Sequence, residues 1–356
     1  MELKIDTPSS VRQGEELDVQ KLSDYVGAQV LDFGKIVEIQ QFSGGYSNLT
    51  YFLKTDTQRE YVLRRPPFGA KHIKGGHDMG REFRVLSSLK AAGYAKIPNP
   101  TVFCEDESVL GCPFYVMERV QGVVLRAHTA PKMGLDVATM RQMSEALVDN
   151  LVVLHSIDIY QTDLIQLGKP EGYIRRQVEG WQRRYVNAQT DDIAAMQQVY
   201  EWLVSQMPAD GPPTLIHNDY KYDNVILNAH NLGEIVAVLD WEMCTVGDPL
   251  MDLGTSLSYW AEATDGPFEK TFNFTWLPGN LSRAEFAQRY AQKSGRDVSN
   301  LPYFYVFGLF KNAVVVQQIY ARWKNGFSKD ERFAGLLFGV KSLSSAALKA
   351  IERGTL

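Results

Sequence analysis

The chain of 356 residues has few cysteines and no strong excess of charge, and each shortage excludes a class of protein. Its three cysteines, Cys104, Cys112 and Cys244, show no metal-ligand spacing, and an odd number without a framework suits a reducing compartment. The net charge of −5 argues against a nucleic-acid coat or a basic membrane binder. The first residues contain no apolar core of a secretory signal. We therefore expect a cytoplasmic protein that binds neither nucleic acid nor membrane.

Long apolar runs and several well-known catalytic motifs are also absent. The most apolar late stretch, 303–320, is interrupted by Lys311 and Asn312, so it predicts a buried helix rather than a membrane span. Gly-x-x-x-x-Gly-Lys-Ser/Thr, Gly-x-Ser-x-Gly and Gly-x-Gly-x-x-Gly do not occur, so a P-loop NTPase, an α/β-hydrolase and a dinucleotide-binding fold are unsupported. A hydrophobic content of 45% and a charged content of 22% describe a globular chain of about two domains.

The stretch 214–252 carries the most specific set of polar residues in the chain. One apolar run delivers Asp219, Asn224 follows five positions later, and a second apolar run ends at Asp240. A transferring phosphoryl group carries heavy negative charge, so it needs metal ions and fixed donors rather than a covalent nucleophile. We assign all three residues to catalysis: Asp219 would accept a hydroxyl proton, while Asn224 and Asp240 would hold Mg²⁺ on nucleotide phosphates. A buried turn with capping carboxylates would not explain their order.

This stretch resembles the aminoglycoside phosphotransferase and choline kinase family, which has a protein-kinase-like fold. His-Asn-Asp at 217–219 stands where protein kinases carry His-Arg-Asp, and Asp-Trp-Glu at 240–242 stands where they carry Asp-Phe-Gly. The resemblance implies an α+β protein with two lobes. A small antiparallel sheet with one long helix would form lobe 1–120, and a larger, mainly helical lobe would form 121–356. ATP and Mg²⁺ are the implied cofactors, and a small-molecule hydroxyl is the implied acceptor. Nothing in the sequence indicates an oligomeric state.

Two parts of the first lobe match the nucleotide-binding regions of that family. Predicted strands flank a glycine-rich turn, which is expected to cover the phosphates because glycines let backbone N–H groups approach them; a plain hairpin is the alternative. The binding residues expected in this turn are Gly44, Gly45, Ser47 and Asn48. The resemblance also places a hinge after a strand in 113–120, where backbone groups of Glu118 and Val120 would contact adenine.

Arg64 is the main departure from the family pattern. It stands at the end of the predicted strand 61–64, where protein kinases carry a lysine on the α- and β-phosphates. Arginine has a planar fork and is not a simple replacement for lysine. Glu82 lies on the apolar face of a helix predicted at 78–92, and a buried carboxylate needs a cationic partner. The resemblance implies that Arg64 is this partner; a solvated arginine is the alternative. The departure also leaves open a nucleotide-binding pseudokinase, although the intact catalytic set favours an enzyme.

Other polar residues near the motif are expected to be structural or stay unassigned. His155 ends a predicted helix and is expected to pack there. By resemblance, His217 would hydrogen-bond the catalytic loop and Asp252 would steady its backbone. Two carboxylates remain ambiguous and stay outside the predicted site: Asp223 and Glu242.

The acceptor is suggested by a subgroup of the family that is linked to acyl-CoA dehydrogenases. The chain resembles it in Tyr-Val-Leu-Arg-Arg-Pro-Pro at 61–67, Pro-Phe-Tyr-Val-Met-Glu at 113–118 and Gly-Lys-Pro-Glu-Gly-Tyr-Ile at 168–174. That subgroup is associated with phosphorylating hydroxyacyl-CoA. A helix predicted at 171–187 fits such an acceptor, because it carries four arginines for phosphates beside an apolar stripe for an acyl chain. A solvated basic face is the alternative for this helix, and an aminoglycoside, choline or similar alcohol is the alternative acceptor.

Overall fold

The computed structural model describes residues 7–42, 48–68, 78–328 and 330–356. The chain divides into two compact units. The first contains the residues up to Val124 together with 225–231 and 235–244, and the second contains 125–224, 232–234 and 245–356. The boundary was expected at 120, and the chain first passes from the first unit to the second after Val124. The later segments join the first unit, where Val123 forms a β-bridge with Leu227, a long-range pairing with no sequence signature.

The first unit is built on a five-stranded sheet, in the part of the chain that the structure describes. Its strands are β1 (Ile36–Gln41), β2 (Leu49–Thr55), β3 (Glu60–Arg65), β4 (Pro100–Cys104) and β5 (Phe114–Glu118). All neighbours are antiparallel, in the order β1-β2-β3-β5-β4. The unit also contains α1 (Val19–Gln29), α2 (Met79–Ala91), α3 (Glu107–Leu110) and most of the hairpin formed by β7 (Val225–Asn228) and β8 (Asn231–Val238). The predicted antiparallel sheet and the helix predicted at 78–92 are confirmed.

Alternation along the strands decides which side chains enter the core of this unit. In β2, Tyr51 is fully buried and packs in one cluster with Leu22 of α1. Leu63 of β3 belongs to the same cluster, so its neighbour Arg64 points to the opposite face of the sheet. Arg64 lies across from Tyr115 of β5. Arg64 therefore faces away from this cluster, as its predicted pairing with Glu82 requires.

The second unit is mainly helical, as predicted. Its elements are α4 (Val137–His155), α5 (Tyr173–Ala188), α6 (Ala194–Ser205), β6 (Thr214–Ile216), β9 (Thr245–Gly247), α7 (Pro249–Ser258), α8 (Arg283–Ser294), α9 (Leu301–Lys324) and α10 (Leu336–Arg353). Helices α7 and α9 approach closely, because a Cβ on Gly254 would lie only 2.3 Å from the carbonyl carbon of Phe304. A Cβ on Gly308 would lie 2.6 Å from the Gly254 carbonyl oxygen. Glycine at both positions lets the two backbones meet.

Helices α9 and α10 bear on the prediction about membranes. Helix α9 contains the stretch 303–320 and is buried along most of its length, which confirms the predicted buried helix. Among the described residues, the helical segment Glu331–Arg353 could cross a membrane by length and composition, with a mean hydropathy of 1.3. The indication is weak, because core helices meet the same criteria, and α10 buries Val340 and Leu343 where it packs on α9. That the chain binds no membrane therefore stays a prediction.

Candidate active site

Asp219 lies in the loop after β6 and is the centre of the site in the second unit. The side-chain amide of Asn224 donates to Asp219 Oδ2 at 2.7 Å and to its backbone oxygen at 2.8 Å. Lys221 Nζ donates to both carboxylate oxygens of Asp219 at 2.8 Å. The structure thus brings Asp219 and Asn224 together, as predicted, and adds a lysine that was not predicted.

The electrostatic surroundings keep Asp219 ionised. Burial raises the pKa of this carboxyl, but Lys221, Lys311 and His217 outweigh it, so the pKa lies below its ordinary value. A carboxylate with a depressed pKa is deprotonated at neutral pH and can accept a hydrogen bond from a hydroxyl. Asp219 is therefore in the protonation state that its predicted role requires.

The backbone that carries Asp219 is held by side chains from other elements. Asp252 of α7 accepts the N–H groups of His217 and Asn218, each at 2.7 Å. The N–H of Asp219 donates to His217 Nδ1 at 3.2 Å. Asn218 has a φ of 67°, in the left-handed region that asparagine tolerates better than most residues. These contacts confirm the structural roles predicted for His217 and Asp252.

Asp252 is itself held by the buried side chain of His155, which also contacts Tyr290. His155, at the end of α4, lies with its Nε2 3.1 Å from Asp252 Oδ2 and its Nδ1 2.8 Å from the Tyr290 hydroxyl. Burial raises the pKa of Asp252, but the hydrogen bond from His155 and the one from the His217 backbone N–H outweigh it, and the pKa is lowered. The prediction that His155 packs at a helix end is confirmed, and the packing orients the residue that holds the loop.

Arg64 organises the site in the first unit. Its Nη1 lies 2.7 Å from Glu82 Oε1, and its Nη2 lies 3.5 Å from Asp240 Oδ1 and 3.9 Å from Glu242 Oε2. Asn48 Nδ2 donates to the same oxygen of Glu242 at 3.1 Å. The ion pair predicted between Arg64 and Glu82 is confirmed. Asn48 lies beside this group, and Glu242, which was left outside the predicted site, belongs to it.

The pKa values of Arg64 and Glu82 both depart from their ordinary values, because the two groups lie together and largely out of solvent. Burial lowers the pKa of Arg64, but Glu82, with smaller contributions from Asp240 and Glu242, raises it above its ordinary value. Burial raises the pKa of the Glu82 carboxyl by more than Arg64 lowers it. Because a guanidinium stays charged at any physiological pH, Arg64 is a permanent cation beside Asp240.

Asp240 and Asn224 are the candidate metal ligands, and each has an oxygen to offer. Asp240 Oδ1 is buried and accepts no hydrogen bond from any residue that the structure describes. Asn224 turns its NH₂ group to Asp219, so its amide oxygen is the atom that a metal would take. The described ranges contain no group of three His, Cys, Asp or Glu side chains fit for a metal. Mg²⁺ does not need one, because it is usually held by one or two carboxylates plus substrate phosphates. Each residue, within its own unit, offers an oxygen of the kind that Mg²⁺ takes.

Asp240 sits in an unusual backbone conformation. It has a φ of 64° and a ψ of 61°, between β8 and a short 3₁₀ helix, Trp241–Met243. A left-handed aspartate costs roughly 1 kcal/mol relative to ordinary helical geometry, and such residues cluster at functional sites. The Trp241 indole donates to the Val238 carbonyl at 2.9 Å and anchors the turn. The turn holds the Asp240 carboxylate toward Arg64.

The remaining nucleotide-binding predictions are placed only in part. The residues of the glycine-rich turn before Asn48 lie outside the described residues: Gly44, Gly45 and Ser47. Glu118 ends β5, and its N–H donates to the Asn99 carbonyl at 2.9 Å. An adenine contact by Glu118 would therefore use its carbonyl oxygen. Val120 follows two positions later and is half-buried. Both hinge assignments stay predictions.

Three charged residues of these two sites were not predicted from the sequence: Lys221, Glu242 and Lys311. A signal existed for Lys221, since a lysine two positions after a catalytic aspartate lies within reach of its carboxylate. Glu242 is likewise two positions after Asp240. Lys311 reaches the Asn218 carbonyl only through tertiary packing, so its contact could not be inferred from local sequence.

Comparisons with known sequences show the family of the chain. Residues 38–287 match the sequence model of the phosphotransferase enzyme family. The chain is 33% identical over 355 residues to acyl-CoA dehydrogenase family member 11 of Gallus gallus, a match that covers 97% of this chain and 45% of that protein. It is 34% identical to acyl-CoA dehydrogenase family member 10 of Mus musculus, over 82% of this chain and 27% of that protein. The chain thus spans less than half the length of these curated relatives.

Solved structures show the same fold. A crystal structure from Ralstonia eutropha JMP134, assigned as an aminoglycoside phosphotransferase, superposes with a TM-score of 0.79 at 27% identity, covering 95% of this chain and 99% of that one. The GDP and kanamycin complex of APH(2″)-IIIa superposes with a TM-score of 0.64 at 15% identity, covering 91% of this chain and 98% of that one. The second likeness shows the fold alone. Together they confirm the predicted kinase-like fold.

Proposed function

Because this chain belongs to the phosphotransferase enzyme family, we propose that it transfers the γ-phosphoryl group of ATP to a hydroxyl of a small molecule. The observation that carries the proposal is the Asp219 carboxylate, partly buried, ionised and held by Lys221 and Asn224. A base for a hydroxyl proton must be deprotonated and fixed in direction, and Asp219 meets both requirements.

The residues of the second unit would act on the acceptor. In the proposed reaction, the acceptor hydroxyl donates to an Asp219 oxygen that now accepts from Lys221, and the hydroxyl proton passes to this carboxylate as the new O–P bond forms. The bond between the γ-phosphorus and the bridging oxygen breaks in the same step, and ADP leaves with its electron pair. Lys221 would keep its charge beside the transferring group, where negative charge must be balanced. Asn224 would keep the carboxylate from rotating, because it binds both Oδ2 and the backbone of the same residue.

The residues of the first unit would act on the nucleotide. Arg64, oriented by Glu82, would direct its fork to phosphate oxygens, which accept bidentate hydrogen bonds from guanidinium. Asp240 and Asn224 are the residues that would hold Mg²⁺. When bound, this ion supplies neutralisation of charge on the phosphates. The glycine-rich turn and the backbone of Glu118 and Val120 are proposed to bind the phosphates and the adenine.

The acceptor that we propose is a hydroxyacyl-CoA. The names of the curated relatives support it, and so does the exposed basic face of α5. Arg175 and Arg183 each lie within 4 Å of Glu179 and stay largely exposed. Arg184 lies over the Trp181 ring, 4.5 Å from its centre. These exposed guanidinium groups suit the phosphates of CoA.

The apolar stripe of α5 lies inside the second unit and is not free to line an acyl site. The apolar stripe of α5 was expected to line an acyl site, but its four residues are buried in the second unit: Ile174, Val178, Trp181 and Tyr185. A helix with a single apolar face buries it against its neighbours, and this stripe therefore stabilises the unit. The proposed role of α5 rests on its arginines alone.

An assay of ADP release and acceptor phosphorylation would test the function. Wild-type protein and the Asp219→Asn variant would be compared with a 4-hydroxyacyl-CoA, kanamycin and choline. We expect phosphorylation of the CoA ester by wild type and its loss in the variant. Turnover of kanamycin or choline with none of the CoA ester would overturn the acceptor and keep the kinase.

The second candidate is a nucleotide-binding pseudokinase that scaffolds or senses. The observation that favours it is the 3.5 Å approach of Arg64 to Asp240, which competes with a metal for that carboxylate. Tight ATP binding with no phosphorylation of any hydroxyl would support this candidate and contradict the first.

A further inference from the structure

Lys311 is a buried lysine at the catalytic loop that the proposed reaction does not use. It lies in the middle of α9, is 2% exposed, and has buried apolar neighbours such as Phe310 and Val314. Its Nζ donates to the backbone oxygen of Asn218 at 2.6 Å. The same nitrogen lies 5.7 Å from the centre of the Trp181 ring. The lysine thus crosses the core of the second unit to reach the residue before Asp219.

With this contact, both polar atoms of one peptide group have hydrogen-bond partners. The peptide that joins Asn218 to Asp219 presents an oxygen, which Lys311 binds, and an N–H, which His217 Nδ1 accepts at 3.2 Å. The preceding N–H of Asn218 donates to Asp252. Because both polar atoms of this peptide have side-chain partners, the plane that sets the direction of the Asp219 side chain cannot rotate without breaking a buried hydrogen bond.

The charge of Lys311 needs an explanation beyond the hydrogen bond. A neutral donor such as glutamine would satisfy the same carbonyl oxygen, and burying an ammonium group is costly unless the charge is used. The carboxylates that attract this ammonium group are Asp219 from the loop and Asp252 from α7. The cations that oppose it are Lys221 from the loop and Arg184 from α5. The catalytic carboxylate is therefore one of the charges that Lys311 stabilises.

We propose that Lys311 is a positioning residue, which holds the Asn218–Asp219 peptide in the orientation that phosphoryl transfer requires. The inference rests on the proposed function of Asp219 and adds to it a residue from a helix that begins about eighty positions later in the chain. It acts through the loop and touches no substrate.

One effect on the pH profile follows from the charge of Lys311. Burial lowers the pKa of Lys311 itself to about 8, so part of its charge is lost in mildly alkaline solution. An arginine at this position stays charged there, and should extend activity above pH 8.

The experiment compares wild type with Lys311→Met, Lys311→Arg and Lys324→Met. Lys324 is the matched control: it lies on the same helix and binds Asp191 at the surface. We expect Lys311→Met to lose roughly 10- to 100-fold in kcat, as misplacement of a catalytic group does, with little change in KM for ATP. Lys311→Arg should restore the rate and keep it above pH 8, where wild type loses activity. A purely structural role would lower the amount of active enzyme without changing the alkaline limb of kcat.

Hydrogen exchange separates this proposal from the function on which it rests. Amides of residues 217–219 should exchange faster in Lys311→Met than in wild type, Lys311→Arg and Lys324→Met. If wild type phosphorylates no acceptor, the proposed function fails, and unchanged exchange in Lys311→Met would then overturn the positioning role as well. A Lys311→Met enzyme with the kcat of wild type and unchanged exchange would overturn the role of Lys311 and leave the kinase in place.

Discussion

Arg64 binds Glu82 through one terminal nitrogen at 2.7 Å and approaches Asp240 with the other at 3.5 Å. One guanidinium therefore contacts both the buried carboxylate of α2 and the carboxylate proposed to hold Mg²⁺. A lysine has a single nitrogen and would have to serve both contacts from one point, whereas the arginine fork serves them separately. The departure from the family pattern at position 64 thus produces an additional link to Asp240.

The first prediction concerns Arg64. Arg64→Lys should keep an ion pair with Glu82 and release Asp240, because the second terminal nitrogen is lost. We expect a lower Mg²⁺ concentration for half-maximal activity, and turnover lower by roughly 10- to 150-fold, since one hydrogen bond to a charged group contributes about 1.5–3 kcal/mol. A titration of activity against Mg²⁺ at saturating ATP measures this, with Arg12→Lys at the exposed pair with Glu15 as control. An unchanged Mg²⁺ requirement would show that Arg64 does not restrain Asp240.

Asp240 provides the second prediction. Asp240→Ala should remove the Mg²⁺-dependent part of nucleotide affinity together with turnover, because the buried Oδ1 is then missing. Calorimetry of ATP binding with and without Mg²⁺ decides between outcomes. If the variant binds ATP with the affinity and metal dependence of wild type, Asp240 is not a metal ligand.

The third prediction uses the titration of Lys311 in folding. Its pKa is about 8 in the folded chain and has a reference value of 10.5, so between these values the unfolded chain binds more protons. Stability should therefore rise with pH from about 8 to about 10.5, by on the order of 3 kcal/mol. The difference in unfolding free energy between wild type and Lys311→Met isolates this contribution from other groups. A difference that does not change with pH would mean that Lys311 titrates normally.

Helix α5 provides the fourth prediction. Combined substitution Arg175→Ala and Arg183→Ala should raise KM for a hydroxyacyl-CoA by roughly tenfold and leave KM for ATP unchanged, because two exposed phosphate contacts would be lost. Arg322→Ala, an exposed arginine of α9, is the control. Unaltered CoA-ester kinetics in the double variant would remove α5 from the acceptor site without changing the identity of the acceptor.

Much of the framework was predictable because it depends on local pattern. The strand predicted after the glycine-rich turn is observed as Leu49–Thr55, and the helix expected at 78–92 as Met79–Ala91, since apolar period and capping residues act over a few positions. The pairing of Arg64 with Glu82 followed from the family resemblance, together with a carboxylate on an apolar helix face that needs a cation. Contacts made by distant packing were not predictable. Lys311 reaches the loop through the packing of α9, and α9 meets α7 at two glycines that no local pattern relates.

The central claim, that Asp219 is the base of an ATP-dependent phosphotransferase, is tested most directly by following acceptor phosphorylation in the Asp219→Asn variant. Mass spectrometry would detect the gain of one phosphoryl group on a hydroxyacyl-CoA, and calorimetry would measure ATP binding to the same preparations. The account predicts that kcat falls by roughly two to four orders of magnitude, the usual range for a general base, while ATP affinity stays that of wild type. Near-normal phosphorylation by the variant would contradict it.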